Sequence, residues 1–314
     1  MIKLIGSRLV LVIPQLLIVA LLVFLLVYLV PGSVAGIVLG DSANPEDIAR
    51  VEAQLGLDRP LYEQLGVYFG GLLRGDLGDS LIYGRSVGDM VLERLPATLS
   101  LVAGGLLVAI VIGVGLGMLA GVYARRPVDR GVTVFSSLLQ SVPEFWIGLI
   151  LVLVFVIQLR WAPVVAWTPP DEDAAAWLRG LLLPCLALGA GASALIARQT
   201  RTAVAESLAS PYADMLTAAG VPRSRIIWKY ALKNAMVPVL AASALAVGIL
   251  FGTSLVMERV FAFPGLGGLL LTSVISKDFP VVQGAALVVC VIVIFVNLVV
   301  DIGYGVLNPR TRPQ

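Results

Sequence analysis

SPYADMLTAAGVPRSRIIWKYALKNAMVP, residues 210–238, lies between two apolar runs, and the reading of the fold turns on it. With Arg198 and Arg201 just before it, this stretch carries six of the 22 basic residues, yet it is punctuated like folded chain. Ser210 stands as an N-cap with Pro211 at the first helical position. Gly220 supplies a stop, and Pro222 opens a second helix through Trp228 to about Asn234. Pro238 then marks entry to the next apolar run. The pattern predicts a helix–turn–helix lying along a membrane surface. Arg223, Arg225, Lys229 and Lys233 would anchor it to anionic headgroups. Anchoring does not account for a capped helix that carries Tyr212, Asp214 and Met215 to the turn.

Around this hairpin the chain is 59% hydrophobic and 13% charged. Soluble domains run to roughly half apolar and a quarter charged, so the composition is that of a polytopic helical membrane protein. After Lys3 and Arg8, residues 9–30 form an uncharged run of about 33 Å at helical rise, matching a bilayer core of about 30 Å. It exceeds a secretory h-region and lacks an A-x-A-like site, which reads as an uncleaved first span. Further spans are expected at 97–124, 132–159, 181–197, 238–257 and 281–307. The fourth is short and interrupted by Pro184, with its helix free to continue through Arg198 toward Ala205. Six spans place both termini on one side.

Charge selects that side. Lys3, Arg8, Arg125, Arg126, Arg130, Arg198, Arg201, Arg223, Arg225, Lys229, Lys233, Arg310 and Arg312 fall on the face of the termini, against only Asp129, Glu206 and Asp214. Ten acids between Asp41 and Glu93 fall on the other. The Lys and Arg bias makes the termini and the 198–238 loop cytoplasmic. The division expected is 1–30 as tail and first helix, 31–96 as an extracytoplasmic insertion, and 97–314 as a five-helix core. Within the insertion, Asn44 caps a helix opening at Pro45 with Glu46 and Asp47 in its first turn, and Gly56 ends it. A second helix runs from 60 to about 69, before Gly70 and Gly71. Such a segment is either a packed external cap or a docking surface.

Gly113, Gly117 and Gly121 form a repeat of small residues that lets helix backbones approach closely in lipid. With Gly115 they superficially resemble a phosphate-binding loop, but no strand precedes them. The chain has no histidine, which removes imidazole metal sites and His-based acid/base catalysis. Cys185 and Cys290 lie far apart in apolar runs, as buried thiols do. No G-x-x-x-x-G-K-[ST] occurs, so nucleotide hydrolysis must come from another chain. Ser243, Thr253 and Ser254 have no evident activating base, so an intramembrane protease is disfavoured. No metal ligand set and no nucleic-acid stripe is present.

Five polar residues stand out as gate or pathway candidates. Glu144, Asn297 and Asp301 sit awkwardly in an apolar bundle, Asn297 and Asp301 sharing a face at i, i+4. A proton relay is one reading. The structural reading, favoured here, has Asp301 paired with an inner basic group and Glu144 at the inner entry of the third span. Glu258 and Arg259 at the outer end of the fifth span would close a gate, contact an external partner, or simply be interfacial charges in a turn.

The 210–238 stretch resembles the cytoplasmic coupling loop of ABC importer permeases, roughly E-A-A-x3-G-x9-I-x-L-P, with Gly220 at the glycine and Leu232 at the leucine. Asp214, Met215 and Leu216 depart from its acidic-alanine start. The peptide-transporter branch, D-Y-x-R-T-A-R-A-K-G followed by H-A-L-R-N-A-L-I-P, is matched in register at Tyr212, Gly220, Ala231, Leu232, Asn234, Ala235 and Pro238. LGLDRPLYEQ (55–64), RGDLGDSL (74–81), LERLPATLSL (92–101), SVPEFWIG (141–148), ERVFAFPGLGGLL (258–270), DFPVVQG (278–284) and NLVVDIGYGVLNPR (297–310) are similar to segments of dipeptide, oligopeptide and nickel permeases. The resemblance implies an all-α permease with six transmembrane helices and the type I importer fold, in a bacterial cytoplasmic membrane. It implies a non-catalytic subunit that works with a homologous second permease, two cytoplasmic ATP-binding subunits and an external substrate-binding protein, with ATP and magnesium on the partners. Ser210, Pro211, Tyr212, Ala213, Asp214, Met215, Gly220 and Arg225 would form the ATPase contact. The expected cargo is di- or oligopeptide, the alternatives being a nickel chelate, glutathione, another small solute, or proton-coupled secondary transport.

Overall fold

The computed structural model describes residues 2–29, 36, 44–55, 58–163 and 167–307. Asp41, Arg310 and Arg312 lie outside the described residues, as do the side chains of Lys3, Arg8, Asp47 and Asp301. In chain order the helices are α1 (Ile2–Leu29), α2 (Pro45–Leu55), α3 (Leu61–Leu73), α4 (Val87–Val122), α5 (Pro127–Ser141) and α6 (Glu144–Gln158). They continue as α7 (Ala174–Leu208), α8 (Pro211–Ala218), α9 (Arg223–Val260), α10 (Leu266–Ile275) and α11 (Phe279–Leu307). Among the described residues no strand forms beyond an isolated bridge between Asp79 and Ser86. The all-α expectation is met: where lipid offers backbone groups no partner, each helix satisfies its own. α4, α7, α9 and the described part of α11 are each long and apolar enough to cross a membrane, and α5 with α6 form a bent pair. The described apolar stretch of α1, Val10–Leu25, is shorter.

Close contacts divide the chain into two compact units. The first comprises Ala97–Pro264 with Met1–Leu9 and Val293–Gln314. Its organising contact is a seam between α4 and α7. A Cβ at Gly113 would come within 2.8 Å of the Ser193 carbonyl oxygen, one at Gly117 within 2.6 Å of that of Ala197, and one at Gly121 within 2.9 Å of that of Arg201. The three glycines meet Ile196, Thr200 and Val204 in turn. Each step of four residues along α4 is matched by four along α7, so the helices run parallel.

That direction settles the next crossing. At the start of the seam Trp177 Nε1 donates to Ser100 Oγ at 3.4 Å. The chain leaving α4 at the Gly121 level must therefore travel back about 32 Å of helix length before α7 can begin. The α5–α6 pair makes this passage, bent by 90°. A single straight helix over 132–159 is thus corrected to a broken one. Pro143 lacks an N–H and holds Val142 extended (φ −86°, ψ 126°), so α5 ends and α6 restarts. α6 closes in a π-helical stretch, Val152–Gln158. α9 runs the other way, with Ala231 and Ala235 clustered with Met118 and Val204 near its start and Glu258 bonded to Thr98 near its end.

α7 begins earlier and ends later than the apolar run suggested. Asp173 caps it, accepting from Ala175 N at 2.9 Å and Ala176 N at 3.0 Å. The backbone N–H groups of Ala176 and Ala175 hold this carboxyl below the usual carboxylate range.

The second unit comprises Val10–Pro96 and Gly265–Ile292. Val87, Met90 and Val91 of α4 form its core with Leu266, Leu269, Val281 and Ala285. Asp278, fully buried, accepts from Ser80 Oγ at 2.5 Å and Leu81 N at 3.1 Å, pinning the 76–86 turn. α3 does not stop before Gly70 and Gly71, which sit within it. The stop is Gly75 (φ 77°), with Asp76 N bonded to Gly71 O and Gly75 N to Leu72 O, both at 3.0 Å. A glycine ends a helix where positive φ is taken up, not merely where it occurs.

The seam predicts a contrast. Gly117→Val overpacks α4 against α7 at a cost of about 1–3 kcal/mol, whereas Gly131→Ala, whose Cβ meets open space, gains up to about 1 kcal/mol. Thermal unfolding of the purified protein in detergent should show a lowered midpoint for the first only. Equal midpoints would remove the seam as a source of stability.

Candidate functional site

The 210–238 stretch folds into a rigid corner at the arginine-bearing end of α4 and α7. Ser210 is extended (φ −82°, ψ 149°) and Pro211 opens α8, as the sequence suggested. The serine hydroxyl makes no cap bond to α8. It donates instead to the Ser207 carbonyl at 2.7 Å, fastening the corner to the end of α7. α8 stops at Gly220 (φ 76°), where Gly220 N bonds Thr217 O and Val221 N bonds Leu216 O, both at 3.0 Å. These paired bonds form a Schellman motif, which fixes the exit direction of the chain.

Only Ala213 of α8 is buried. Pro211, Tyr212, Asp214 and Met215 face outward, Met215 at 59% exposure, and Tyr212 meets Tyr230 edge-on with centroids 6.0 Å apart. Arg225 is exposed on the opening turn of α9. The structure therefore groups the eight coupling candidates on one corner, Ala213 serving as its inward foot. The second arm differs from expectation. α9 is not a separate surface helix ending before Pro238 but one rod from Arg223 to Val260, with a π-helical segment at Ile226–Ala231. The ring of Pro238 is accommodated inside it.

Behind α8 lies a cleft of about 430 Å³ lined by residues of α4, α7, α8, α9 and the turn between α4 and α5, including Arg126, Asp214 and Arg223. The same end of α7 carries an ion pair that spacing could not disclose. Asp129, 4% exposed, accepts from Arg201 Nε at 2.8 Å and Nη2 at 2.7 Å, and from the backbone N–H of Arg125 at 2.8 Å. This bidentate fork ties the first turn of α5 to α7. Arg125 takes φ 66° to present that N–H.

The gate and pathway candidates are not brought together. Glu144 is half-buried and lies against Gly191, where a Cβ would come within 2.6 Å of its Oε1. Gly191 is seven residues, about 10 Å, inside Arg198 on α7. The carboxylate is thus deeper than an inner entry, because α5 has already climbed along α7. Glu258 and Arg259 separate: Glu258 is 1% exposed and accepts from Thr98 Oγ1 at 2.6 Å, while Arg259 is exposed. Asn297 is exposed on α11, and the Asp301 side chain lies outside the described residues.

The sequence matches a family described as the binding-protein-dependent transport system inner membrane component over residues 113–313, and that description's N-terminal component over residues 1–102. A Brucella abortus protein named for a peptide transport system permease is 36% identical over 312 residues, covering 99% of each chain. The glutathione transport system permease protein GsiC of Escherichia coli is 38% identical over 307 residues, covering 98% of this chain and 97% of its own. In fold, the chain resembles the MetNI methionine ABC transporter in an inward facing conformation. The TM-score is 0.57 over 70% of this chain and 96% of that one, at 18% identity.

The Asp129–Arg201 fork carries its own prediction. Hydrogen bonds to charged groups contribute about 1.5–3 kcal/mol, and the 37% exposure of Arg201 puts this pair toward the lower figure. Asp129→Asn, Arg201→Gln and their double variant, compared by thermal unfolding, should show a coupling of about 1–2 kcal/mol. Additive losses would mean that the fork contributes nothing as a pair.

Proposed function

Because the chain belongs to the family of binding-protein-dependent transport system inner membrane components, we propose that it carries short peptides into the cell. It is an ABC importer permease, a multi-pass inner-membrane subunit that catalyses no reaction itself. The reading of the cargo rests on one observation: two relatives matched over nearly their whole lengths are named for peptides and for glutathione, itself a tripeptide. Cargo reaches it from an external binding protein. The chain works as half of a pair of homologous permeases on two ATPase subunits, which hold the nucleotide and its magnesium. The arginine-bearing end of α4 and α7 faces the cytoplasm, following the Lys and Arg bias, and with it both termini.

In this reading the outward face of α8, with Tyr212 and Met215 and with Asp214 on its flank, sits in a groove of an ATPase subunit. When the ATPases close, α8 moves with them. The Schellman turn at Gly220 passes that motion to α9 without slack. α9 is about 57 Å long at helical rise, so displacement at its foot reaches the Glu258–Thr98 contact at its far end. Contacts that differ between the two states are what such an exchange requires.

Two experiments test this. The complete complex in proteoliposomes, given labelled trialanine or glutathione, should take up cargo when ATP is supplied on the ATPase side and the proton gradient is collapsed. Uptake that needs the gradient and ignores ATP would sink the importer reading, and uptake of neither peptide would sink the cargo. Gly220→Val forces a β-branched residue to positive φ. It should keep membrane insertion but lose substrate-stimulated ATPase activity, and wild-type stimulation would remove the rigid turn from the coupling route.

A further inference from the structure

On the membrane side of the same corner, α4 and α9 leave an apolar groove of about 340 Å³ lined by Val114, Gly115, Met118, Leu119, Tyr123 and Trp228, among others. It is opened by Gly115, where a Cβ would meet nothing within 4 Å, in contrast to Gly113 and Gly117, which are filled by α7. The groove ends in two exposed rings, Tyr123 at 39% and Trp228 at 65%. Aromatic side chains at that level mark the membrane–water boundary. The Arg126 guanidinium carbon lies 6.0 Å from the Tyr123 ring centre. Arg126 also lines the cleft behind α8, with Arg223 and Asp214. Val122 lines both the cleft and the groove, and the neighbouring residues Ile226 and Ile227 line one each. An apolar slot thus adjoins a cleft lined in part by two arginines and Asp214. Neither Arg126 nor Arg223 has an ion-pair partner among the described residues.

We propose that this composite is a binding site for an anionic phospholipid, one acyl chain lying in the Gly115 groove and the phosphodiester held between Arg126 and Arg223. Charge selects the occupant. Two arginines and Asp214 leave the cleft with one net positive charge, which a headgroup of one net negative charge neutralises and a zwitterionic one does not. Lys229 and Arg225 on the adjoining turn add to the same bias. The groove reaches the π-helical segment of α9 at Ile227 and Trp228. Within that segment Ile227 packs against the Met118, Val204, Ala231 and Ala235 cluster while Trp228 stays exposed, directly after the coupling corner. An occupied site would brace α9 against α4 there, so the lipid's presence acts on the step between α8 and α9. The proposal rests on the geometry of this corner and not on the identity of the cargo.

The test uses the complete complex in nanodiscs of phosphatidylcholine with stepped fractions of phosphatidylglycerol. Native mass spectrometry reads retained lipid, and ATPase activity is read in parallel. Wild type should retain phosphatidylglycerol selectively, and removal of either arginine, as Arg126→Gln or Arg223→Gln, should weaken retention about fivefold. Gly115→Leu fills the slot without touching a charge. It should lose retention of phosphatidylglycerol while soluble glycerol phosphate still binds at the arginines. Equal retention of both lipids by wild type would reduce the site to ordinary annular lipid. Retention unchanged in Arg126→Gln and Gly115→Leu would place the lipid elsewhere. A groove found closed by a partner subunit, with no lipid retained in the complex, would overturn the proposal outright.

Discussion

The first unit depends on how closely the backbone of α4 can approach that of α7. In lipid no hydrophobic term draws two helices together, so association comes from contact alone, and contact is closest where a side chain is absent. Gly113, Gly117 and Gly121 remove the side chain at one-turn intervals, and the carbonyls of Ser193, Ala197 and Arg201 occupy the space. The consequence is directional as well as energetic. Parallel helices cannot be joined by a short turn, so the intervening chain must return the full distance. That requirement, not hydropathy, makes the bent α5–α6 pair a crossing. It also collects the basic residues at the ends of both helices on one face.

The same constraint explains why the two glycine rows of α4 behave differently. Gly113 and Gly117 face α7 and admit no Cβ, whereas Gly115, two residues from each, faces open space. Residues two apart on a helix point about 200° away from each other. One row is therefore structural and the other leaves a slot. A substitution tolerated at Gly115 says nothing about Gly117, although both read as glycine in an apolar run.

Much of the fold was legible because its signals are local. The lengths of the apolar runs placed the membrane helices, and Ser210–Pro211 with Gly220 placed α8. The Gly113, Gly117 and Gly121 spacing named the seam, though not its partner. What failed was context. Gly70 and Gly71 looked like a break, but a glycine stops a helix only by taking positive φ, and Gly75 does that. Pro238 looked like a boundary, yet α9 passes through it. Ser210 had the right residue for a cap and spent its hydroxyl elsewhere. The Asp129–Arg201 fork joins residues 72 apart, and Glu258 differs from Arg259 only by its register against Thr98. Neither relation has any trace in spacing.

The two polar contacts at opposite ends of the first unit are unlike in kind, and the difference bears on where it can move. Arg201 is 37% exposed, so water can take over its side of the fork, and opening it costs about the 1–2 kcal/mol of coupling expected for a pair whose other member, Asp129, is buried. Glu258 and Thr98 are each 1% exposed, so no solvent reaches their contact to replace it. The bundle is consequently held firmly where α9 meets α4 at Thr98 and more loosely at the arginine end. α8 is mounted on the loose end, through a turn that is itself stiff. A stiff handle on the yielding end of a bundle moves helices relative to one another. Placed at the Thr98 end, the same handle would meet contacts that cannot exchange with water and would strain them instead.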